Sequence, residues 1–352
     1  MNIYSEPYGL NRFGQQVTRY RLSNDCGMEV TILDRGCIIE SIKTPDIHGN
    51  TINLVLGCDS LSDYEQETAY FGAVIGRYAN RINKGRLPIG NEVYQLATNN
   101  GENHLHGGQR GFDDQIWETR SGFSRDQARL ELKYLSRDGE ENYPGNLSVD
   151  ITYTLNQNNE LIIDYQASTD KPTVVNLTNH TYFNLKGRGT ALNHRLQLFA
   201  EYFTPTDNLL IPTGEIAPVK DTPMDFTTPR TIGANLDETF VPIRLAGGYD
   251  HNWMTGKKPS DSPELIAKVM EPESRRTLEV WTTCPGIQFY TGNFLEGEPA
   301  RAHSTYKKHD GFCLETQYYP DSPNQPHFPS TQLLPDEIYK EATLFRFGLD
   351  ET

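Results

Sequence analysis

Apolar and polar residues alternate along much of the chain with a period of two. In residues 147–155 every second side chain is apolar, and residues 161–167 repeat the pattern with Ile162 as the one exception. The four residues 156–159, three of them Asn, separate the two segments and suit a tight turn. Alternation on both sides of a short turn predicts an antiparallel β-hairpin with one covered face.

The same period recurs in shorter segments. These are residues 28–32, 92–97, 130–134, 196–203, 278–282, 287–290 and 344–347. Gly, Pro, Asn and Asp residues punctuate the chain between them, as expected of turns. Helical spacing is confined to residues 61–68, where Ser62 is the candidate N-cap. Many strands with few helices predict an all-β fold, a large antiparallel sandwich or barrel.

Length and composition are those of a globular protein. The chain has 352 residues, of which 36% are hydrophobic and 11% aromatic, enough to form a core without a disulfide or a metal. No internal repeat, low-complexity tract or linker composition divides it, so we predict a single domain over residues 1–352. The five cysteines lie far apart without a Cys-x-x-Cys pair, which favours reduced thiols.

The charge balance limits the classes of partner. Thirty-two basic against 47 acidic residues give a net charge of −15, which disfavours nucleic acids and anionic membranes as partners. The sequence contains no apolar run of 18 residues and does not begin like a secretory signal, so we expect a cytoplasmic protein. Phosphate-cradling and dinucleotide-binding glycine motifs are also absent from the sequence, and we expect no nucleotide cofactor.

His104 and His106 form the first candidate cluster. Residues two apart on a strand share a face, so the two imidazoles could bind one metal ion. Gly107 and Gly108 follow, which favours a tight turn that directs one histidine into a polar ligand site. A third interpretation makes both histidines hydrogen-bonded surface residues.

Other polar groups stand out against apolar surroundings. His180 lies among three asparagines and two threonines in residues 176–184, a density that suits the floor of a cleft that binds hydroxyl groups. Glu315 interrupts the apolar segment 311–317, either as the exposed side of an ordinary strand or as a desolvated carboxylate with a raised pKa that can act as a general base. Residues 80–81 and 250–253 add amide, guanidinium, carboxylate and aromatic groups.

Taken together, these segments resemble the aldose 1-epimerase (galactose mutarotase) family. Six matches occur in the family's order: residues 70–82 (YFGAVIGRYANRI), 105–108 (LHGG) with 110–113 (RGFD), 172–185 (PTVVNLTNHTYFNL), 249–252 (YDHN), 285–293 (PGIQFYTGN), and 311–317 (GFCLETQ) with 320–326 (PDSPNQP). The matches span nearly the whole chain.

The resemblance implies a large antiparallel β-supersandwich and the interconversion of α- and β-anomers of free galactose or glucose. By position, Glu315 is similar to the family's general base and His180 to its general acid. The residues that resemble its sugar-binding groups are Asn80, Arg81, His106, Asp250 and Gln288. The resemblance implies no metal and no cofactor, and we expect a monomer or weak homodimer.

Three alternatives stay open on the sequence alone. A phosphosugar epimerase would need extra basic residues, and none of the matched motifs supplies one beyond Arg81. A sugar-binding module without activity would retain the sugar-binding residues and lose the acid or the base. A metal-dependent β-sandwich enzyme would use His104 and His106.

Overall fold

Three antiparallel sheets form the framework of the molecule. The structure, a computed structural model, describes residues 1–255 and 262–350; the domain predicted over 1–352 also includes residues 256–261 and 351–352, which lie outside the described residues. The first sheet has five strands in chain order: Asn2–Leu10, Gln16–Ser23, Glu29–Leu33, Ile39–Pro45 and Thr51–Asn53.

The second sheet has nine strands and contains the predicted hairpin. Its spatial order is Glu118–Phe123, Gln127–Ser136, Leu147–Asn156, Glu160–Thr169, Tyr339–Leu349, Arg276–Thr282, Glu264–Met270, Arg195–Leu198 and Arg230–Thr231. The hairpin pairs residue 147 with 169 and residue 155 with 161. The alternating apolar residues of both hairpin strands are buried, and Ile162 lies half-buried on the outer face, so the prediction is confirmed.

The third sheet, called the site sheet below, has six strands. Its spatial order is Tyr182–Phe183, Phe312–Gln317, Gly286–Tyr290, Asp250–Met254, Tyr202–Thr204 and Ala217–Pro218. The remaining strand pairs are Arg86–Ile89 with Glu92–Gln95, Arg81–Ile82 with His104–Leu105, Val74–Ile75 with Thr178–Asn179, Thr173–Val174 with Gln332–Leu333, and Pro299–Ala300 with Ser304–Thr305.

Helices are short in the described part of the chain. Its α-helices are Leu61–Gln66 and Val241–Ala246, and its 3-10 helices are Asn83–Gly85, Phe112–Asp114, Glu140–Asn142, Ala191–Asn193, Ile232–Asn235, Arg301–His303 and Ser322–Asn324. Within residues 1–255 and 262–350, no helix has the length and apolar character needed to cross a bilayer. The all-β prediction is confirmed.

Two local predictions differ from the structure. The first helix is capped by Ser60 and not by Ser62, because the Ser60 hydroxyl accepts the N–H of Asp63 while the Asp63 carboxylate accepts the N–H of Ser60, a reciprocal capping box. The alternating segment 196–203 is two strands in different sheets, since the chain passes from the nine-stranded sheet to the site sheet at residues 199–201.

One large hydrophobic cluster joins the three sheets. It includes Ile32 of the first sheet, Tyr153 and Phe345 of the second, and Phe183 and Phe289 of the third. The Tyr153 hydroxyl donates to a backbone carbonyl of the N-terminal region at 2.7 Å, and the rings of Phe183 and Phe345 lie 5.2 Å apart. One face of the site sheet therefore packs against the core, and the opposite face points away from it.

Candidate active site

Polar side chains cover the face of the site sheet that points away from the core. Asp250, Gln288 and Glu315 lie on three neighbouring strands, and register places Gln288 directly opposite Glu315. All three are more than nine-tenths buried, and the Gln288 Nε2 donates to Asp250 Oδ1 at 2.7 Å. One carboxylate oxygen of Glu315 has no partner among the described residues. This row forms the floor of a cleft.

His180 reaches the same floor from a neighbouring segment. It follows the strand Thr178–Asn179, and its backbone N–H donates to the Ala73 carbonyl at 2.8 Å. Its Nε2 lies 3.6 Å from Oε1 of Glu315, and both side chains are buried. The predicted acid and base thus face each other at the bottom of the cleft.

Two turns bring Asn80, Arg81 and His106 to the cleft wall. Asn80 and His106 both have left-handed backbone, with φ of 64° and 50°, a region in which Asn and His are enriched. The His106 N–H donates to the Asn80 carbonyl at 3.0 Å, and the Asn80 N–H donates to His106 Nδ1 at 3.2 Å. A Cβ on Gly107 would lie 1.8 Å from the Gly76 carbonyl oxygen, so only glycine allows this close approach.

The cleft has a volume of about 700 Å³, in the usual range for a small-molecule site. The rings of Tyr70 and His106 lie 4.8 Å apart, and those of Tyr182 and His180 lie 5.1 Å apart. Aromatic and hydrogen-bonding groups thus surround the acid and the base, an arrangement that suits a ligand with apolar ring faces and polar edges.

Burial shifts the pKa of both candidate catalytic groups in the direction that disfavours their charged forms. It raises the pKa of Glu315 well above its ordinary value; the neighbouring Asp250 carboxylate adds to this rise and the Arg81 guanidinium opposes it. Burial also lowers the pKa of His180 to about 4. Burial therefore favours protonation states in which the pair carries no net charge.

The structure separates the two histidines of the first cluster. His106 lines the cleft, but His104 points away: its Nε2 lies 2.6 Å from the Tyr143 hydroxyl and its Nδ1 lies 2.7 Å from the Ala97 carbonyl. The shared-face expectation for a metal pair is wrong, because the strand ends at Leu105 and His106 takes a left-handed conformation. The interpretation with one histidine in the ligand site fits instead.

Other expectations about the site are corrected. The asparagines near His180 do not line the cleft, since the side chain of Asn176 bonds to backbone groups of Ala79 and Tyr318, and that of Asn184 to backbone groups as well. Trp253 belongs to the core face of the site sheet. Gln288, by contrast, stays a predicted sugar-binding residue: its Nε2 donates to Asp250 Oδ1, and its Oε1 is buried without a hydrogen-bond partner among the described residues.

Sequence reasoning gave no role to several residues that line the cleft: Tyr70, Asn99, Asn100, Tyr182, Leu209, Leu210, Tyr290 and Phe294. Tyr70, Tyr182 and Tyr290 do lie inside the matched motifs, which was a usable signal. Leu209 and Leu210 lie in a loop without such a signal.

Three of the cleft's residues have the types that bind metal ions. The ligand atoms of His106, His180 and Glu315 lie within 4.8 Å of one another. The same three groups, two imidazoles and one carboxylate, are also the types that transfer protons at neutral pH. The arrangement can thus remove a proton from one oxygen of a bound ligand and deliver one to a neighbouring oxygen.

Comparisons with known proteins point to one family. The sequence model of the family described as Aldose 1-epimerase matches residues 18–346. Galactose mutarotase of Sus scrofa is 45% identical over 336 residues, covering 95% of this chain and 94% of the relative. Aldose 1-epimerase of Escherichia coli (strain K12) is 36% identical over 339 residues, covering 95% and 96%.

Solved structures agree as well. The crystal structure of galactose 1-epimerase from Lactobacillus acidophilus NCFM matches with a TM-score of 0.88 at 30% identity, covering 99% of both chains. The supersandwich expected from the sequence is therefore the observed architecture. The chain belongs to the aldose 1-epimerase family.

Proposed function

We propose that this chain opens and recloses the hemiacetal ring of a free aldohexose, with Glu315 as the general base and His180 as the general acid. Family membership makes the chain an isomerase of sugar anomers. The observation that carries the residue assignment is the 3.6 Å separation of His180 Nε2 and Glu315 Oε1 on a buried cleft floor. The two oxygens that exchange protons in ring opening are bonded to the same carbon, so the acid and the base must be neighbours.

Ring opening needs one proton taken from the C1 hydroxyl and one given to the ring oxygen. A pair that holds a single proton can do both and can run the steps in reverse for reclosure. Burial disfavours the pair with no proton, which is an anion, and the pair with two protons, which is a cation. The buried floor therefore widens the pH range in which the competent one-proton state predominates.

The polar groups of the cleft suit a neutral sugar. Five residues, Asn80, Arg81, His106, Asp250 and Gln288, supply donors and acceptors for hydroxyl groups, and Gln288 also donates to Asp250 at 2.7 Å. The C1 hydroxyl of the sugar would lie beside Glu315, and the ring oxygen would lie beside His180. The sugar hydroxyls would then be held while C1 stays free to rotate.

The charge of the cleft disfavours a phosphosugar. Of the described residues that line it, Arg81 is the one Lys or Arg, against the three carboxyl groups of Asp250, Glu298 and Glu315. A phosphate dianion would find one cationic side chain, that of Arg81, to offset its charge. The alternative of a sugar-binding module without activity is disfavoured because acid and base are both present and adjacent.

Polarimetry on freshly dissolved sugars tests the proposal. We expect catalytic amounts of protein to accelerate the mutarotation of α-D-galactose and α-D-glucose far above the spontaneous rate, and that of glucose 6-phosphate little. Acceleration of glucose 6-phosphate alone would establish the phosphosugar alternative. Acceleration of none of the three by folded protein would contradict the enzymatic proposal.

We also propose that residues 1–352 act as one catalytic domain, without a cofactor, as a cytoplasmic monomer or weak homodimer. The hydrophobic cluster shared by the three sheets supports the single domain. Proton transfer alone suffices for the chemistry. The net charge of −15 argues against nucleic acid or membrane partners. Light scattering over a range of protein concentrations would measure the oligomeric state.

A further inference from the structure

A second large cavity lies in the described part of the chain, and it shares no lining residue with the cleft. Its volume is about 650 Å³, close to that of the cleft. Its walls come from the end of the first sheet, from the loop after the strand Tyr182–Phe183, from the start of the strand Arg276–Thr282, and from the paired strands Pro299–Ala300 and Ser304–Thr305. Concave places of this size are where proteins bind small molecules, so the cavity is a candidate for a separate ligand site.

The balance of charged side chains in this cavity is opposite to that in the cleft. Its described lining has four basic side chains and two acidic ones: Lys186, Arg188, Arg276 and Arg301 against Asp46 and Asp310. The described lining of the cleft has one basic side chain and three acidic ones. A local surplus of positive charge in a chain whose net charge is −15 indicates a site for an anion.

The buried cations of the cavity are only partly neutralised. Arg276 is 2% exposed; its Nη2 donates to the Asn50 carbonyl at 2.9 Å, and its one ion pair among the described residues, with Asp46, is long at 3.9 Å. The Arg301 guanidinium donates to two backbone carbonyls and forms no ion pair within the described part of the chain. Burying a cation without a close counter-ion costs free energy, so an anion in the cavity would be stabilised.

The other two cations lie on the exposed side of the cavity. Arg188 is exposed between two glycines and has no ion-pair partner among the residues that the structure describes. Lys186 is half-buried, and its Nζ lies 2.6 Å from Oε1 of Glu273, which is largely exposed. Exposed ion pairs of this kind are weak, so Lys186 can exchange Glu273 for a ligand. Long flexible side chains at the opening can thus close on a bound anion.

The uncharged part of the lining suits a carbon skeleton with hydroxyl groups. The apolar residues are Ile52, Val55, Leu56 and Ala300, and the hydroxyl groups on the exposed side belong to Ser304 and Thr305. A free phosphate ion is much smaller than 650 Å³ and would leave the apolar wall without a contact. An organic anion of about the size of a monosaccharide uses both the cations and this wall.

We propose that this second cavity is a binding site for an organic phosphate, whose phosphate group lies among Lys186, Arg188 and Arg276. A phosphate monoester carries about −1.5 to −2 charges at neutral pH, which matches the surplus of basic side chains. The carbon skeleton contacts the apolar wall. The proposal goes beyond ring opening and does not depend on it, because the residues involved lie outside the cleft.

Calorimetric titration with glucose 1-phosphate tests the proposal. The C1 oxygen of this compound carries the phosphate, so it has no free hemiacetal and cannot be a substrate of the cleft. In phosphate-free buffer of low ionic strength we expect one molecule bound per chain, with a Kd of about 1 mM or below. Folded protein that binds none at about 10 mM would overturn the proposal.

A competition experiment locates the bound phosphate. We expect saturating galactose to leave the Kd of glucose 1-phosphate unchanged, because the two ligands occupy different sites. A Kd that rises in proportion to the galactose concentration would place glucose 1-phosphate in the cleft and contradict the proposal.

Charge reversal at the opening of the cavity identifies the residues. We expect Arg188→Glu to raise the Kd of glucose 1-phosphate about tenfold or more and Arg188→Lys to retain most of the affinity. Both variants should accelerate mutarotation like the wild type. Arg125→Glu is the matched control, since Arg125 is also exposed but lies in the turn between Glu118–Phe123 and Gln127–Ser136. Equal losses of affinity in Arg188→Glu and Arg125→Glu would reduce the effect to net charge, and the proposal would be wrong.

Two simpler ligands separate the phosphate from the carbon skeleton. We expect inorganic phosphate to bind more weakly than glucose 1-phosphate, and uncharged glucose to leave the binding of glucose 1-phosphate unchanged. Equal affinity for inorganic phosphate would contradict the contact with the apolar wall. Competition by glucose would contradict the phosphate as the recognised group.

Discussion

Leu314 and Glu315 are consecutive residues of one strand, and their side chains lie on opposite faces of the site sheet. Leu314 is 1% exposed and Glu315 is 2% exposed. Leu314 belongs to the main hydrophobic cluster, whereas Glu315 lies on the cleft floor beside Gln288. Equal burial therefore has two consequences. The Leu314 face stabilises the fold, whereas the Glu315 face buries polar groups at a cost in stability, as the proposed role of Glu315 as a base requires.

Glu315→Gln is the variant with the largest expected effect on the function of the cleft face. The amide has nearly the same shape but cannot accept the proton of the C1 hydroxyl, so we expect kcat to fall by about 10²–10⁴-fold. Binding of galactose should persist, because the hydroxyl-binding groups are untouched. Polarimetry and calorimetric titration measure the two effects. Turnover within a factor of ten of the wild type would remove Glu315 from the role of base.

The matched change on the other face is Leu314→Ala. We expect the free energy of unfolding to fall by about 2–5 kcal/mol through lost burial and a residual cavity. The kcat of the protein that remains folded should change little, since Leu314 does not contact the cleft. Urea unfolding combined with polarimetry checks both. A large loss of kcat in fully folded Leu314→Ala would show that the two faces are not independent.

Gln288→Ala probes the polar row of the cleft floor. It removes the hydrogen bond to Asp250, so we expect KM for galactose to rise about tenfold while kcat changes less. Gln197→Ala is a suitable control, since Gln197 lies on the nine-stranded sheet and its Nε2 donates to the Thr227 backbone carbonyl at 2.9 Å. Equal KM values in the two variants would contradict a role for Gln288 in holding Asp250.

The smallest expected effect concerns stability against pH. Because burial raises the pKa of Glu315 above its unfolded value, the carboxyl is neutral in both states at low pH, and it costs stability as the pH rises from about 4.5 through the folded pKa. Glu315→Gln should therefore melt at a slightly higher temperature than the wild type at pH 8 and at nearly the same temperature at pH 4.5.

Calorimetry at the two pH values measures this difference. The exposed Glu118, changed to Gln in the same way, should give no such pH-dependent gain. A lower melting temperature of Glu315→Gln at pH 8 would mean that the carboxylate stabilises the native state, contrary to its burial.

Periodicity predicts the hairpin of residues 147–169 fully, whereas it leaves the role of Glu315 open. The hairpin follows from periodicity alone, because a covered sheet face requires apolar residues at every second position. For Glu315 the same periodicity left two interpretations, an exposed strand residue or a buried base. The resemblance to the family favoured the base. The segments around His180 and Asn80 cover that side of the strand, so the Glu315 side chain is buried.

The sequence by itself determined the all-β class and most strands, because periodicity is a local property of the chain, and its long ordered motifs predicted part of the candidate site. Tertiary structure decided which polar residues meet. His104 and His106 are two residues apart yet point to different places, while His180 and Cys313 are 133 residues apart and in contact. Side-chain direction at a turn and contacts between distant segments depend on backbone geometry and packing, which no local pattern encodes.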